Sequence, residues 1–148
     1  MRTLIKAGLI ATMLFTSAAW AQNNSAVGLW KTIDDETGKP KALVRVTEEN
    51  GALQGKIEKL FRGPNEDQNP TCSACTDSRK NQPIVGMTIV SGLKKDGNEY
   101  TGGEILDPAK GKVYKSKATL RDGGQKLEVR GYIGAPMFGR SQVWQREQ

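Results

Sequence analysis

Lys41-Ala42-Leu43-Val44-Arg45-Val46-Thr47, followed by Glu48-Glu49-Asn50-Gly51 and then Ala52-Leu53-Gln54-Gly55-Lys56-Ile57, decides the fold. Ala42, Val44 and Val46 alternate with polar or outward neighbours at the two-residue period of a strand. Asn50-Gly51 is the pair that best tolerates the positive φ angles of a tight hairpin. Leu53, Gly55, Ile57 and, by the same alternation, Lys59 then share one face of the next strand. Two half-buried strands joined by a tight turn make an antiparallel hairpin.

The same rhythm extends in both directions. Upstream, Val27–Ile33 reads as a strand and Asp34-Asp35-Glu36-Thr37-Gly38-Lys39-Pro40 as a turn. Downstream, Ile84–Leu93 is a strand, Lys95-Asp96-Gly97-Asn98 a turn, and Glu99–Leu106 the strand after it. Gly102-Gly103 inside that run points to a bulge or bend. Asp107-Pro108-Ala109-Lys110-Gly111 turns the chain into Lys112–Leu120, where Tyr114, Ser116, Ala118 and Leu120 share a face. Asp122-Gly123-Gly124 leads to a strand carrying Leu127, Val129 and Gly131, and Gly139–Arg146 is the last. No stretch after residue 21 carries a 3.6-residue apolar stripe. The pattern predicts an all-β domain of eight antiparallel strands. Short links favour an up-and-down barrel, which leaves no sheet edge open, over a β-sandwich.

Arg62–Pro83 interrupts the rhythm with three prolines, three asparagines and both cysteines. A loop of this length is expected to be functional or folded by its own contacts. Cys72-Ser73-Ala74-Cys75 has no histidine after its second cysteine, as c-type haem attachment needs. The chain also lacks the remaining ligands of a tetrahedral zinc site. A redox pair would open a helix in a βαβ unit, and none is visible. A structural disulfide between Cys72 and Cys75 is the expectation.

The N-terminal stretch MRTLIKAGLIATMLFTSAAWA has the order of a secretory signal. Basic Arg2 and Lys6 come first, an apolar run from Ala7 to Phe15 follows, and Ala19-Trp20-Ala21 supplies the small-residue exit. The apolar run is shorter than the about 20 residues a membrane span needs. Residues 1–21 are therefore expected to be a signal peptide and residues 22–148 a single domain with its long loop at 62–83. The expected location is the periplasm of a Gram-negative bacterium or the exterior. The full chain carries 22 Lys+Arg against 16 Asp+Glu. Loss of Arg2 and Lys6 lowers the net charge from +6 to +4, spread too thinly to build a nucleic-acid surface.

Histidine is absent, which excludes serine–histidine and cysteine–histidine catalysis and the H-E-x-x-H metal motif. No G-x-S-x-G, phosphate-binding loop or dinucleotide fingerprint occurs. Asp34-Asp35-Glu36 and Glu66-Asp67 lie in expected turns and read as solvated acids. The chain is read as a non-enzyme with no cofactor, no metal and no membrane span. A small amphipathic molecule is the expected partner, held by Trp30, Tyr100, Tyr114, Arg130, Arg140 and Trp144, with Arg130, Arg140 or Lys59 as the cation for an acidic ligand. The alternative is a filled barrel that contacts an envelope protein, or inhibits an enzyme, through the 62–83 loop.

Gly28-Leu29-Trp30 at the start of the first strand resembles the G-x-W with which the calycins, the lipocalins and fatty-acid-binding proteins, open their barrels. That resemblance implies that Trp30 closes one barrel end beneath an arginine of the last strand, Arg140 or Arg146. A longer series of blocks runs through the chain in one order: Cys72-Ser73-Ala74-Cys75, Pro83-Ile84-Val85-Gly86-Met87, Gly103-Glu104-Ile105-Leu106-Asp107-Pro108, Gly111-Lys112-Val113-Tyr114, Arg130-Gly131-Tyr132-Ile133-Gly134 and Gly139-Arg140-Ser141-Gln142-Val143-Trp144. With G-x-W they resemble the domain-of-unknown-function 2147 family of secreted bacterial proteins. The resemblance implies an exported calycin-like barrel and carries no catalytic residues. The intact mass of the exported product should correspond to residues 22–148; a cytoplasmic product that keeps Met1–Ala21 would refute the export reading.

Overall fold

The computed structural model describes residues 24–148; residues 1–21, the expected signal peptide, lie outside them. Eight strands form one closed barrel in sequence order: β1 (Gly28–Ile33), β2 (Pro40–Glu49), β3 (Ala52–Leu60), β4 (Thr88–Asp96), β5 (Glu99–Asp107), β6 (Lys112–Arg121), β7 (Lys126–Tyr132) and β8 (Gly139–Arg146). Every neighbouring pair is antiparallel, including β1 with β8. The all-β, up-and-down barrel is therefore the architecture, and closure of β1 on β8 excludes the sandwich. A 3₁₀ turn at Asp122–Gly124 joins β6 to β7.

Alternation places Ala42, Val44 and Val46, then Leu53, Gly55 and Ile57, on the buried face as expected. Two expectations give way. The β2–β3 register shifts between Leu43 and Val44, which pair with Lys59 and Ile57 and skip Glu58. This bulge turns Lys59 to solvent, where its ammonium lies 5.0 Å from the centre of the Phe61 ring, and brings Leu60 inward instead. The fourth strand begins at Thr88 rather than Ile84. Gly86 and Met87 bond back to Ile57 and Ile84, which holds 84–87 in a turn. The Gly102-Gly103 bulge is present, as a register shift between Tyr100 and Gly103.

One barrel end is closed by Trp30 and Arg146. Trp30 is fully buried, its indole N–H donates to the Ala26 carbonyl at 2.8 Å, and Tyr100 Oη accepts the Ala26 N–H at 3.2 Å. The Arg146 guanidinium stacks 4.4 Å from the Trp30 ring centre. It also donates to the carbonyls of Gly124 at 2.7 Å, of Val27 at 2.9 Å, and of Ser25. Burial pulls its pKa below the ordinary arginine value, with Tyr100 acting in the opposite sense. Arg146, not Arg140, is thus the arginine over Trp30. The first glycine of G-x-W has a physical reason: Gly28 sits at φ +148°, and a Cβ there would fall 2.4 Å from the Gln148 carbonyl and 2.6 Å from the Arg146 guanidinium.

The long loop 61–87 is ordered by its own contacts. Cys72 and Cys75 are disulfide-bonded and buried. The Cys72 backbone N–H donates to Gln82 O and its carbonyl accepts from Asn81, so the two arms of the loop are tied together. The loop rests on the β5–β6 turn, with the Ala74 carbonyl so close to Gly111 that a Cβ there would lie 1.8 Å from it. Arg79 chelates Asp77 and reaches the Thr88 carbonyl at 3.0 Å. The Arg79 side chain, then its amide, hold the Asp77 carboxyl at about 2 against an ordinary 3.8. A depressed folded-state pKa means that this contact is intact above pH about 4 and weakens as pH falls toward 2.

Arg146→Lys keeps the charge but loses the planar fork and the stack, so the melting temperature should drop. Arg146→Ala should cost about 2–4 kcal/mol, read by denaturant unfolding, because it also strands the bonded carbonyls. Ser116 is fully buried and its Oγ has no hydrogen-bond partner among the described residues. Ser116→Ala should be neutral or stabilising, since it removes a hydroxyl that lost water on folding; a loss above about 1 kcal/mol would show that the hydroxyl is satisfied in solution.

Candidate ligand-binding site

The barrel interior divides in two. Near the closed end it is filled by Trp30, Val46, Leu53, Leu93, Tyr100 and Leu127, with Gly55, Ser116 and Ala118 as the small members. The other half encloses a cavity of about 530 Å³. On each strand the boundary falls between successive inward positions: Val44 lines the cavity and Val46 does not; Val129 does and Leu127 does not; Tyr114 does and Ser116 does not. Trp144 and Val44 lie on the cavity side of that boundary, and β-branched Ile57, Ile89 and Ile105 supply much of the wall. Such a volume falls within the few hundred Å³ typical of small-molecule sites.

The mouth is set by chain direction. In an up-and-down barrel alternate connections share an end, so the links at 34–39, 61–87, 108–111 and 133–138 all surround this opening, and the tight 50–51 and 97–98 turns lie at the plugged end. The long loop contributes Arg62 and Ile84, the β5–β6 turn Pro108 and Lys110, and the β7–β8 link Ile133 and Phe138. Among the described residues four cations line the opening, Lys41, Arg62, Lys110 and Arg140, against one carboxylate, Asp107. Asp107 is committed to its turn, accepting the amides of Ala109 at 3.0 Å and Lys110 at 3.4 Å. Arg140 is ion-paired with Asp35, and Arg62 lies 3.7 Å from Glu66. Lys41 and Lys110 form no salt bridge among the described residues. Within the wall, Gln142 Oε1 accepts the Trp144 indole N–H at 3.3 Å.

The sequence-derived site residues separate accordingly. Tyr114, Arg140 and Trp144 line the cavity together. Trp30 and Tyr100 belong to the plug; the Tyr100 hydroxyl is spent on the Ala26 amide and does not face the cavity. Arg130 alternates outward from inward Val129 and Gly131. It clamps the β7–β8 link by donating to the Pro136 carbonyl, to Ser141 Oγ at 3.0 Å and to the Gly139 carbonyl at 3.2 Å. Lys59 is outside as well. Of the mouth cations only Arg140 was anticipated; Lys41, Arg62 and Lys110 were missed because they sit in or beside turns, where alternation carries no facing information, and the parity of the connections would have grouped them.

Among solved structures, the chain is similar to protein HP1028 from the human pathogen Helicobacter pylori, described as belonging to the lipocalin family. The two share 19% sequence identity with a TM-score of 0.69, and the match covers 84% of each chain. That likeness establishes the lipocalin-like fold. No curated protein matches the sequence. The family model for an uncharacterized protein conserved in bacteria, DUF2147, matches residues 28–146, and the chain belongs to that family.

Proposed function

We propose that the barrel is a binding protein for one small amphipathic molecule, with the apolar part against Ile57, Ile105 and Trp144 and an anionic group at the mouth. The observation that carries this reading is the one-ended cavity of about 530 Å³ with an apolar wall and a basic rim. Lys41 and Lys110 are the cations available to an anionic group, since Arg140 and Arg62 already face Asp35 and Glu66. The lipocalin-like fold supports the reading, because it places the opening at one end and the plug at the other. The cavity also favours ligand binding over the filled barrel that a loop-based interaction module would have. The protein acts in this proposal as a carrier rather than a catalyst, exported after removal of residues 1–21.

Laurate and dodecanol share a chain and differ in head-group charge, so together they test both halves of the site. Each should bind one to one and change the tryptophan fluorescence through Trp144, with laurate the tighter. Tyr114→Trp should weaken both by taking up cavity volume. Replacing Lys41 and Lys110 together by Gln should weaken laurate about tenfold, roughly 1.4 kcal/mol, and leave dodecanol nearly unchanged. Absence of saturable binding by either compound, or a Tyr114→Trp variant that binds both as well as wild type, would sink the proposal.

A further inference from the structure

We infer that the rim of the barrel mouth is a docking surface for an anionic lipid bilayer, with the β7–β8 link as its apolar contact. The segment Ile133-Gly134-Ala135-Pro136-Met137-Phe138 contains no charged residue. Its three large side chains are the most exposed apolar groups of the described barrel: Met137 at 76%, Phe138 at 68% and Ile133 at 62%. Clustered exposed apolar groups of this size mark interaction surfaces.

The link is also held in shape. Ile133 N–H donates to the Phe138 carbonyl at 3.2 Å and Phe138 N–H to the Ala135 carbonyl at 2.9 Å. Arg130 braces it from the outer barrel face through the Pro136 and Gly139 carbonyls. A braced loop loses little conformational freedom on contact, so its apolar area is available for binding.

Two observations favour a lipid surface over a protein or a second copy. Ile133 and Phe138 belong both to the exposed tip and to the cavity lining, so one apolar surface runs from solvent into the barrel. A hydrocarbon layer matches that continuity. The same rim carries Lys41 and Lys110, which lack salt-bridge partners among the described residues, and exposed Lys112 stands at the start of β6. Cations around an apolar tip suit anionic head groups over acyl chains. The Asp34-Asp35-Glu36 turn opposes this on the β1 side, where Asp35 pairs with Arg140 and backbone N–H groups of Glu36 and Thr37, then Lys41 and Arg140, hold the Asp34 pKa down. Docking through this rim is independent of whether the cavity takes a ligand.

The test is sedimentation of the chain, freed of residues 1–21 so that their apolar run contributes nothing, with vesicles of phosphatidylcholine alone and with added phosphatidylglycerol. The chain should sediment with the anionic vesicles, weakly with the neutral ones, and be released by high salt. Met137 does not line the cavity, so Met137→Glu should lower the bound fraction about fivefold or more while laurate binding stays intact, and Met137→Leu should restore docking. Failure of laurate to bind would leave the docking result standing, and the reverse holds equally. No sedimentation with either vesicle, equal binding of both, or an unchanged Met137→Glu variant overturns the inference. So does a dimer seen by light scattering that Met137→Glu dissociates and that ignores vesicles, which would make the rim a contact between copies.

Discussion

The stack of Arg146 on Trp30 is the interaction on which the rest of the barrel depends. An eight-stranded sheet closes only if its first and last strands meet, and here they pair only at Trp30–Arg146 and Lys31–Gln145. So short a ladder needs reinforcement. The Glu147 amide donates to the Leu29 carbonyl at 2.8 Å, the Leu29 amide to the Gln148 carbonyl at 3.1 Å, and Lys31 pairs with Glu147 at 2.8 Å. Arg146 extends the same seam across the barrel end, binding carbonyls on the chain before β1 and at the β6–β7 turn. Desolvating a guanidinium is costly, and the cost is offset here by several charge-assisted bonds and an aromatic face. Gly28 follows from this arrangement, because any side chain there would occupy the space of the arginine.

Concentrating large side chains at that end creates the cavity at the other. Trp30 and Tyr100, with Leu53, Leu93 and Leu127, fill the plugged half, so the fold has its core without needing the open half packed. The open half is walled by β-branched residues whose stiff side chains stand against the sheet instead of reaching across it. The long loop then works on the mouth. Its disulfide and its seat on Gly111 fix the backbone that carries Arg62 and Ile84 to the opening.

Strand number, direction and most facing assignments were legible because alternation is a direct consequence of the pleat. Tyr114, Ser116, Ala118 and Leu120 face inward as that rule demands, Trp144 does the same on β8, and Arg140, of the same parity, stands exposed at the rim. The failures occur where the pleat is broken or absent. Lys59 was misassigned because a bulge at Glu58, one residue earlier, adds a residue to β3, and no residue type there announces it. Ile84 looked like the first strand residue because the apolar rhythm resumes there, yet it is buried by a turn. Arg130 was legible after all: its neighbours Val129 and Gly131 face inward, so an inward Arg130 contradicted the strand's own period. The rim lay beyond alternation, since Lys41, Arg62, Lys110, Ile133 and Phe138 are joined only by the parity of the connections.

That parity also accounts for the difference between the two ends. Four of the seven connections lie at the mouth, and they hold almost all of the non-strand chain apart from the termini. The plugged end has tight turns at Asn50-Gly51 and Gly97-Asn98, with positive φ at Asn50, Gly51 and Gly97, and such short links leave no length for a side-chain constellation. Sequence variation in such a fold is cheap at the mouth and costly at the plug, because loop length can change there without altering strand register. The apolar β7–β8 link is one use of that freedom. Exposed Met137 and Phe138 do nothing for closure, and Arg130 spends three of its donors holding the link and the strand beside it in place. A strand arginine thus braces an apolar tip that adds nothing to the core, and its side-chain partner, Ser141, is the residue that faces it across the β7–β8 ladder.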